Sequence, residues 1–203
     1  MTPACRGWRA RPGGITRISY AASPRSPSAK RRAPRLRVSC SLRPVGHAQR
    51  ARLEQLTAAT GRFRPEEVAT ALELLDESLA GDEDYQFLGA YDGGDLVGYA
   101  CWGQTPGTRG TCDLYWIVVD PARQRRGVGT DLLNAVEQRL RGEGCRLIVV
   151  ETSSREDYAP TRAFYERRGY ARTATIEAYY APGDDLVIFL KDLVHGAVAG
   201  TPP

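Results

Sequence analysis

Tyr115-Trp116-Ile117-Val118-Val119-Asp120-Pro121-Ala122-Arg123-Gln124-Arg125-Arg126-Gly127-Val128-Gly129-Thr130 runs from an apolar strand through a basic turn into the start of a helix. Gly127 and Gly129 lack Cβ atoms, so a ligand can approach the backbone closely. The N–H groups from about Arg125 to Thr130 are the unpaired donors of a helix head, where the helix dipole also favours negative charge. Arg123, Arg125 and Arg126 add positive side chains. The segment therefore predicts a site for an anionic group of the diphosphate kind. An ordinary strand–helix turn with a solvated basic face carries similar local sequence, so the flanking chain has to decide.

Downstream, Val128, Leu132, Leu133, Val136 and Leu140 fall on one face of a helix over 128–141, which Gly142 and Gly144 end. A buried strand over 146–151 follows, then a short helix over 161–168 closed by Gly169. Two strands over 170–179 and 186–191, split by Pro182-Gly183-Asp184-Asp185, finish the domain. Upstream, Asp92-Gly93-Gly94-Asp95 between apolar runs predicts a hairpin of strands over 85–91 and 96–103. A strand over 112–119 leads into the glycine turn. A weak strand over 36–42, a helix over 47–59 and a helix starting at Pro65 come first. The last of these carries a stripe of Val68, Leu72, Leu75 and Leu79. A hairpin followed by alternating strands and helices implies an α/β domain with a mixed sheet over 36–192, and residues 193–203 read as a tail.

Charge is divided unevenly along the chain. Residues 1–53 hold 12 Arg, one Lys and no acid, whereas residues 54–203 hold 15 basic and 24 acidic side chains. Residues 1–35 are too poor in large apolar groups to offset the entropy of ordering them, so they read as a disordered basic arm. Three origins fit: a mis-called start in a GC-rich genome, an organelle transit peptide, or a nucleic-acid-binding tail. No aromatic interleaving supports the third, which argues against a nucleic-acid partner. No run reaches the roughly 18 apolar residues of a membrane span. Cys5, Cys40, Cys101, Cys112 and Cys145 form no C-x-x-C pair, and with only His47 and His195 beside them no metal site is expected. Reduced thiols and the lack of a secretory h-region point to the cytoplasm, or to a plastid or mitochondrion if residues 1–35 are a transit peptide.

The order of elements and two motifs resemble the GNAT superfamily of N-acetyltransferases. Gln124-Arg125-Arg126-Gly127-Val128-Gly129 is similar to the acetyl-CoA signature Q/R-x-x-G-x-G/A, and it follows a strand ending in Val-Asp-Pro. Ala163-Phe164-Tyr165-Glu166-Arg167-Arg168-Gly169-Tyr170 is similar to the family's F-Y-x-x-x-G-F/Y helix end. At the positions seven and four residues before that tyrosine the family often has Asn and Ala; here stand Tyr158 and Thr161. About two extra residues fit between Glu151 and Tyr165.

The resemblance implies a GNAT-like mixed, centrally splayed β-sheet flanked by helices. It implies acetyl-CoA as co-substrate, an amine as acceptor, and direct transfer of the acetyl group by a monomer or homodimer. Ile117, Val118 and Val119 would offer main-chain contacts to the pantetheine arm. Gln124, Arg125, Arg126, Gly127, Val128, Gly129 and Thr130 would form the phosphate cradle. Tyr165 would protonate the departing thiolate, as a phenol with a pKa of about 10 can at neutral pH. Glu151 is the candidate base, with Asp113 and Tyr115 as rivals, and a solvated strand end is the other reading of that carboxylate. Cys101, Cys112 and Cys145 read as small buried residues rather than acyl carriers. The acceptor would lie against residues 47–80 and the stretch Tyr179–Asp185. The alternative to catalysis is an acyl-CoA-binding module without turnover.

Overall fold

Both glycines of the Asp92–Asp95 turn have positive φ, 60° at Gly93 and 100° at Gly94. This is the backbone twist that a two-residue hairpin needs and that only glycine adopts freely. The turn joins β2 (Gln86–Asp92) to β3 (Asp95–Gln104). The computed structural model describes residues 37–195, so the basic arm and all but the first three residues of the expected tail lie outside the described residues. Around the hairpin a seven-stranded sheet forms in the order β1-β2-β3-β4-β5-β7-β6. The further strands are β1 (Ser41–Pro44), β4 (Thr111–Val119), β5 (Leu147–Ser153), β6 (Ala171–Ala181) and β7 (Asp184–Asp192). Only β4 and β5 pair in parallel; the remaining neighbours are antiparallel. The mixed sheet is as the alternation of elements predicted.

Each face of the sheet carries a pair of helices. On one face, Leu53 and Leu56 of α1 (Arg50–Ala59) and Ala71, Leu72, Leu74 and Leu75 of α2 (Pro65–Leu79) meet Phe87, Tyr99, Trp116 and Val118. On the other, α3 (Val128–Gly142) and α4 (Ala159–Glu166) bury Leu132, Leu133, Val136, Leu140, Phe164 and Tyr165 against Ile117, Val119, Ile148, Val150 and Phe189. All five residues predicted for the apolar face of α3 are buried. The stripe of α2 is displaced from the predicted one: Ala71 and Leu74 join Leu72 and Leu75, and Val68 and Leu79 are only half-buried. The α2 contact surface is wider than one four-residue stripe, because the helix leans on both α1 and β2.

Several boundaries differ from the sequence reading, each for a physical reason. The first strand is Ser41–Pro44, not 36–42. Val38, Cys40 and Leu42 do alternate inward, but residues 37–40 have no strand partner among the described residues. Pro44 is tolerated because β1 is an edge strand. The fourth helix starts at Ala159 because Pro160 suits a first turn, where its missing N–H costs nothing. Strand β5 continues to Ser153, so Glu151 lies inside the strand, paired with Ile188, and not at its end. Only Pro182-Gly183 separates β6 from β7. The tail begins later than 193: Leu193 is buried and its N–H donates to the carbonyl of Arg146 at 2.7 Å.

Candidate active site

At the end of β4 the chain turns tightly. Asp120 accepts hydrogen bonds from the N–H groups of Ala122 and Arg123, each at 2.8 Å. Arg52 of α1 pairs with the Asp120 carboxylate at 2.8 Å and donates to the carbonyl of Leu96 at 3.1 Å. Gln124 is 3% exposed, and its side-chain amide donates to the carbonyl of Val119 at 3.2 Å. The motif glutamine therefore pins the turn to the strand. Arg125 then takes φ 61° and Gly127 φ 97°. Left-handed residues in such a turn aim neighbouring N–H groups into a concavity that suits anions. For the non-glycine Arg125 this conformation costs on the order of 1–3 kcal/mol, a strain that concentrates at ligand sites.

The resulting depression, about 280 Å³, is lined by Arg37, Arg125, Arg126, Gly127 and Thr130. Val128 and Gly129 lie buried beneath it as the first residues of α3. Nε of Arg126 is buried with no hydrogen-bond partner among the described residues. The Thr130 hydroxyl accepts a hydrogen bond from Arg168, whose guanidinium sits 3.9 Å over the ring of Phe164. Arg123 does not join this cluster as the sequence suggested; it pairs with Asp92 at 3.1 Å, because the turn directs it back toward the hairpin. Arg37 comes from outside the motif, and no local signal distinguished it from the other arginines near the amino end. These donors fit a diphosphate in number, charge and geometry.

Beside this loop the sheet opens. Strands β4 and β5 pair only over Thr111–Asp113 and Leu147–Val149, although both continue beyond. Ile117, Val118 and Val119 pair with Ala100, Tyr99 and Gly98 of β3, and toward β5 they have no strand partner among the described residues. A register shift opposite Cys101 and Trp102 places Tyr115 and Trp116 as successive residues against one core. Such a bulge bends and twists a strand, which separates β4 from β5. The predicted central splay is present.

Tyr165 is fully buried on the α3–α4 face, ringed by Phe164, Tyr170 and Phe189 at centroid distances of 5.2, 5.4 and 6.1 Å. Glu151 is half-buried. By alternation along β5 it points to the opposite face from Ile148 and Val150, the face of α1 and α2. The candidate acid and base thus lie on opposite faces of the sheet. Of the rivals to Glu151, Asp113 sits at the paired end of the opening and accepts from the hydroxyl of Thr105 at 2.9 Å. Tyr115 packs against Tyr85 with ring centroids 5.5 Å apart. Tyr179 and Tyr180 meet edge to face at 5.0 Å on β6, on the far edge of the sheet.

The two motif departures have structural roles. Thr161 is buried in α4. Tyr158 is buried too, and its hydroxyl donates to the carbonyl of Arg62 at 3.2 Å. Arg62, in the loop between α1 and α2, pairs with Asp157, and Arg155 pairs with it as well at 2.7 Å. Burial opposes ionisation of Asp157, but the hydrogen bond from Arg155 and the charges of Arg155 and Arg62 outweigh it and hold the carboxyl below its usual range. This strap ties helices from opposite faces of the sheet, and nothing in the local sequence announced it.

Cys101, Cys112 and Cys145 are buried, as the sequence suggested. Cys101 is fully buried, and burial alone pushes its thiol well above the ordinary range. Cys112 and Cys145 hydrogen-bond to each other, which together with burial pushes the Cys112 thiol up, while the same bond draws the Cys145 thiol below its ordinary value. Among the described residues no group of His, Cys, Asp and Glu is placed to hold a metal ion, and no helix is long and apolar enough to cross a membrane.

Comparison with known proteins bears on the same residues. The family model described as Acetyltransferase (GNAT) family matches residues 51–170, from α1 through the second motif. The chain is 30% identical over 94 residues to an S-(2-succino)cysteine N-acetyltransferase of Bacillus subtilis, covering 46% of this chain and 56% of that protein. It is 36% identical over 110 residues to the N-alpha-acetyltransferase RimI of Mycobacterium tuberculosis, covering 52% of this chain and 65% of that protein. The matched region thus spans less than two thirds of either curated relative. A crystal structure from Desulfovibrio desulfuricans assigned to the GNAT family superposes with a TM-score of 0.74 at 41% identity, covering 76% of this chain and 99% of that one. With that family model matched over residues 51–170, more than half of its length, the chain belongs to the GNAT family of acetyltransferases.

Proposed function

We propose that the protein transfers an acetyl group from acetyl-CoA to the α-amine of an amino acid derivative or a peptide. The observation that carries this reading is the phosphate loop, with left-handed Arg125 and Gly127, opening α3 directly beside the break between β4 and β5. One site suits a diphosphate, and at the adjoining one the main chain of Ile117–Val119 has no strand partner toward β5 among the described residues, which suits an extended arm. The names of both curated relatives specify N-acetylation, one of a cysteine derivative and one at an N-alpha position. The acidic balance of residues 54–203 favours cationic acceptors by steering.

In this reading the side chains divide the work. The main chain at Ile117–Val119 donates a hydrogen bond to the thioester carbonyl as it gains negative charge. Glu151, on the α1–α2 side, takes a proton from the incoming ammonium, directly or through a water, to free the attacking lone pair. The amine nitrogen forms the new bond to the acetyl carbon, and the carbon–sulfur bond breaks. Tyr165, on the α3–α4 side, donates its proton to the departing sulfur, and the second proton shed by the nitrogen as the amide forms returns to the phenolate, directly or through water.

The test is release of free thiol from acetyl-CoA across a panel of amino acids, S-substituted cysteines and short peptides, with wild type and Tyr165→Phe. Transfer by wild type is expected, with kcat lowered about 100-fold in the variant and little change in coenzyme affinity. Tight coenzyme A binding without transfer to any amine would instead leave a binding module.

A further inference from the structure

We propose that Arg37 is a phosphate-binding residue of the coenzyme site, supplied from outside the glycine motif. This rests on the coenzyme reading above. The chain before β1 is held over the phosphate loop by a main-chain hydrogen bond, in which the N–H of Val38 donates to the carbonyl of Arg126 at 3.1 Å. Val38, Cys40 and Leu42 pack against the α3 side of the core and anchor the segment. Arg37 is thereby laid along Gly127: a Cβ on that glycine would stand 3.2 Å from Nε of Arg37 and 3.3 Å from its Cγ. Its guanidinium pairs with Asp131 in the first turn of α3 and lines the same depression as Arg125 and Arg126.

Stability does not account for this placement. The Arg37 side chain is 72% exposed, and an ion pair so open to water contributes little to folding. Ligand binding does account for it. Asp131 suits the helix dipole, but its carboxylate stands at the rim of an anion site and repels phosphate. Arg37 cancels that charge and still has donors to spare, since a guanidinium carries five N–H groups and a carboxylate engages two of them at most in a fork. Coenzyme A carries a diphosphate and a ribose 3′-phosphate, and either can take the remaining donors.

The experiment is calorimetric titration of the full chain with coenzyme A and with dephospho-coenzyme A, which lacks only the 3′-phosphate. Arg37→Gln is expected to weaken coenzyme A about tenfold, the scale of one charge-assisted hydrogen bond, and Arg37→Lys to weaken it less. Loss toward coenzyme A alone assigns Arg37 to the 3′-phosphate; equal loss toward both ligands assigns it to the diphosphate. The loss must also persist when Asp131→Asn is present in both proteins being compared. Unchanged affinity in Arg37→Gln overturns the proposal. So does a loss that vanishes in the Asp131→Asn background, since Arg37 would then only mask that carboxylate. Failure of the wild-type chain to bind either ligand overturns the coenzyme reading itself, a result distinguishable from both. Matching thermal midpoints for the variants and wild type show that the fold is intact.

Discussion

The two sides of the opening between β4 and β5 are built by different means. On the side of the glycine turn, one continuous stretch from Val119 to Asp131 supplies the turn, the nest and the helix head, and Arg37, Arg52 and Arg168 brace it from far away in sequence. On the α1–α2 side, Arg62 and Asp157 meet across a separation of 95 residues, and the Tyr158 hydroxyl reaches back 96 to the carbonyl of Arg62. A contiguous site is specified by backbone geometry at a few fixed positions. A site assembled from distant segments is specified by side-chain contacts, which can change one at a time. In the proposed function the first design would hold the coenzyme and the second would face the acceptor.

That contrast can be broken most forcefully at Gly127. Gly127→Val puts a branched side chain at φ 97° and against Arg37. Coenzyme affinity is expected to fall at least about 100-fold by calorimetry, from backbone strain and a blocked phosphate approach together. Glu151→Gln should act on the other side alone, lowering kcat/KM for the amine about 10- to 100-fold while the dissociation constant of coenzyme A stays put. A matching loss of coenzyme binding would show that the two sides are one unit.

Smaller effects sharpen the comparison further. Tyr158→Phe removes the hydrogen bond to Arg62 and should cost about 0.5–1.5 kcal/mol of stability. It should raise the amine KM several-fold and leave the coenzyme unaffected, as steady-state kinetics with each substrate varied in turn would reveal. The smallest effect is in acid. Because the folded-state pKa of Asp157 is depressed, the strap's contribution is complete above the unfolded value near about 3.9 and disappears as pH falls through the lower folded value. Asp157 is more than a third exposed, so this contribution is below about 1 kcal/mol. Thermal denaturation at pH 3 and pH 7 should show a slightly smaller acid loss for Asp157→Asn than for wild type.

Legibility in the sequence follows the same division. The face of α3 could be read residue by residue because a helix buried on one side writes its contacts at a fixed period. The turn before α3 is readable because glycine is needed where φ is positive, as at Gly127. The splay was readable only through the family resemblance: nothing in Thr111–Val119 by itself reveals where pairing with β5 stops. The first strand was misplaced because Val38, Cys40 and Leu42 alternate against a core without a ladder beside them. Arg123 was grouped with its neighbours by charge, but the turn sends it to Asp92. The strap could not be seen at all, since Tyr158 and Arg62 are polar residues in loops until the fold brings them together.

The bulge at Tyr115 and Trp116 lets β4 carry one residue more than the stretch of β3 opposite it. Upstream of it Cys112 and Leu114 point to the α3 core; downstream Ile117 and Val119 do. The extra residue switches even positions for odd ones. Without Tyr115, Leu114 and Trp116 would simply alternate, and Ile117 and Val119 would still face α3 and Val118 still face α1 and α2, so the bulge absorbs one residue without exchanging the two linings. Chimaeras spliced at Tyr115 should therefore tolerate loss of that one residue, whereas a one-residue deletion between Trp116 and Val119 inverts the side chains on one side of the cut and should yield insoluble chains.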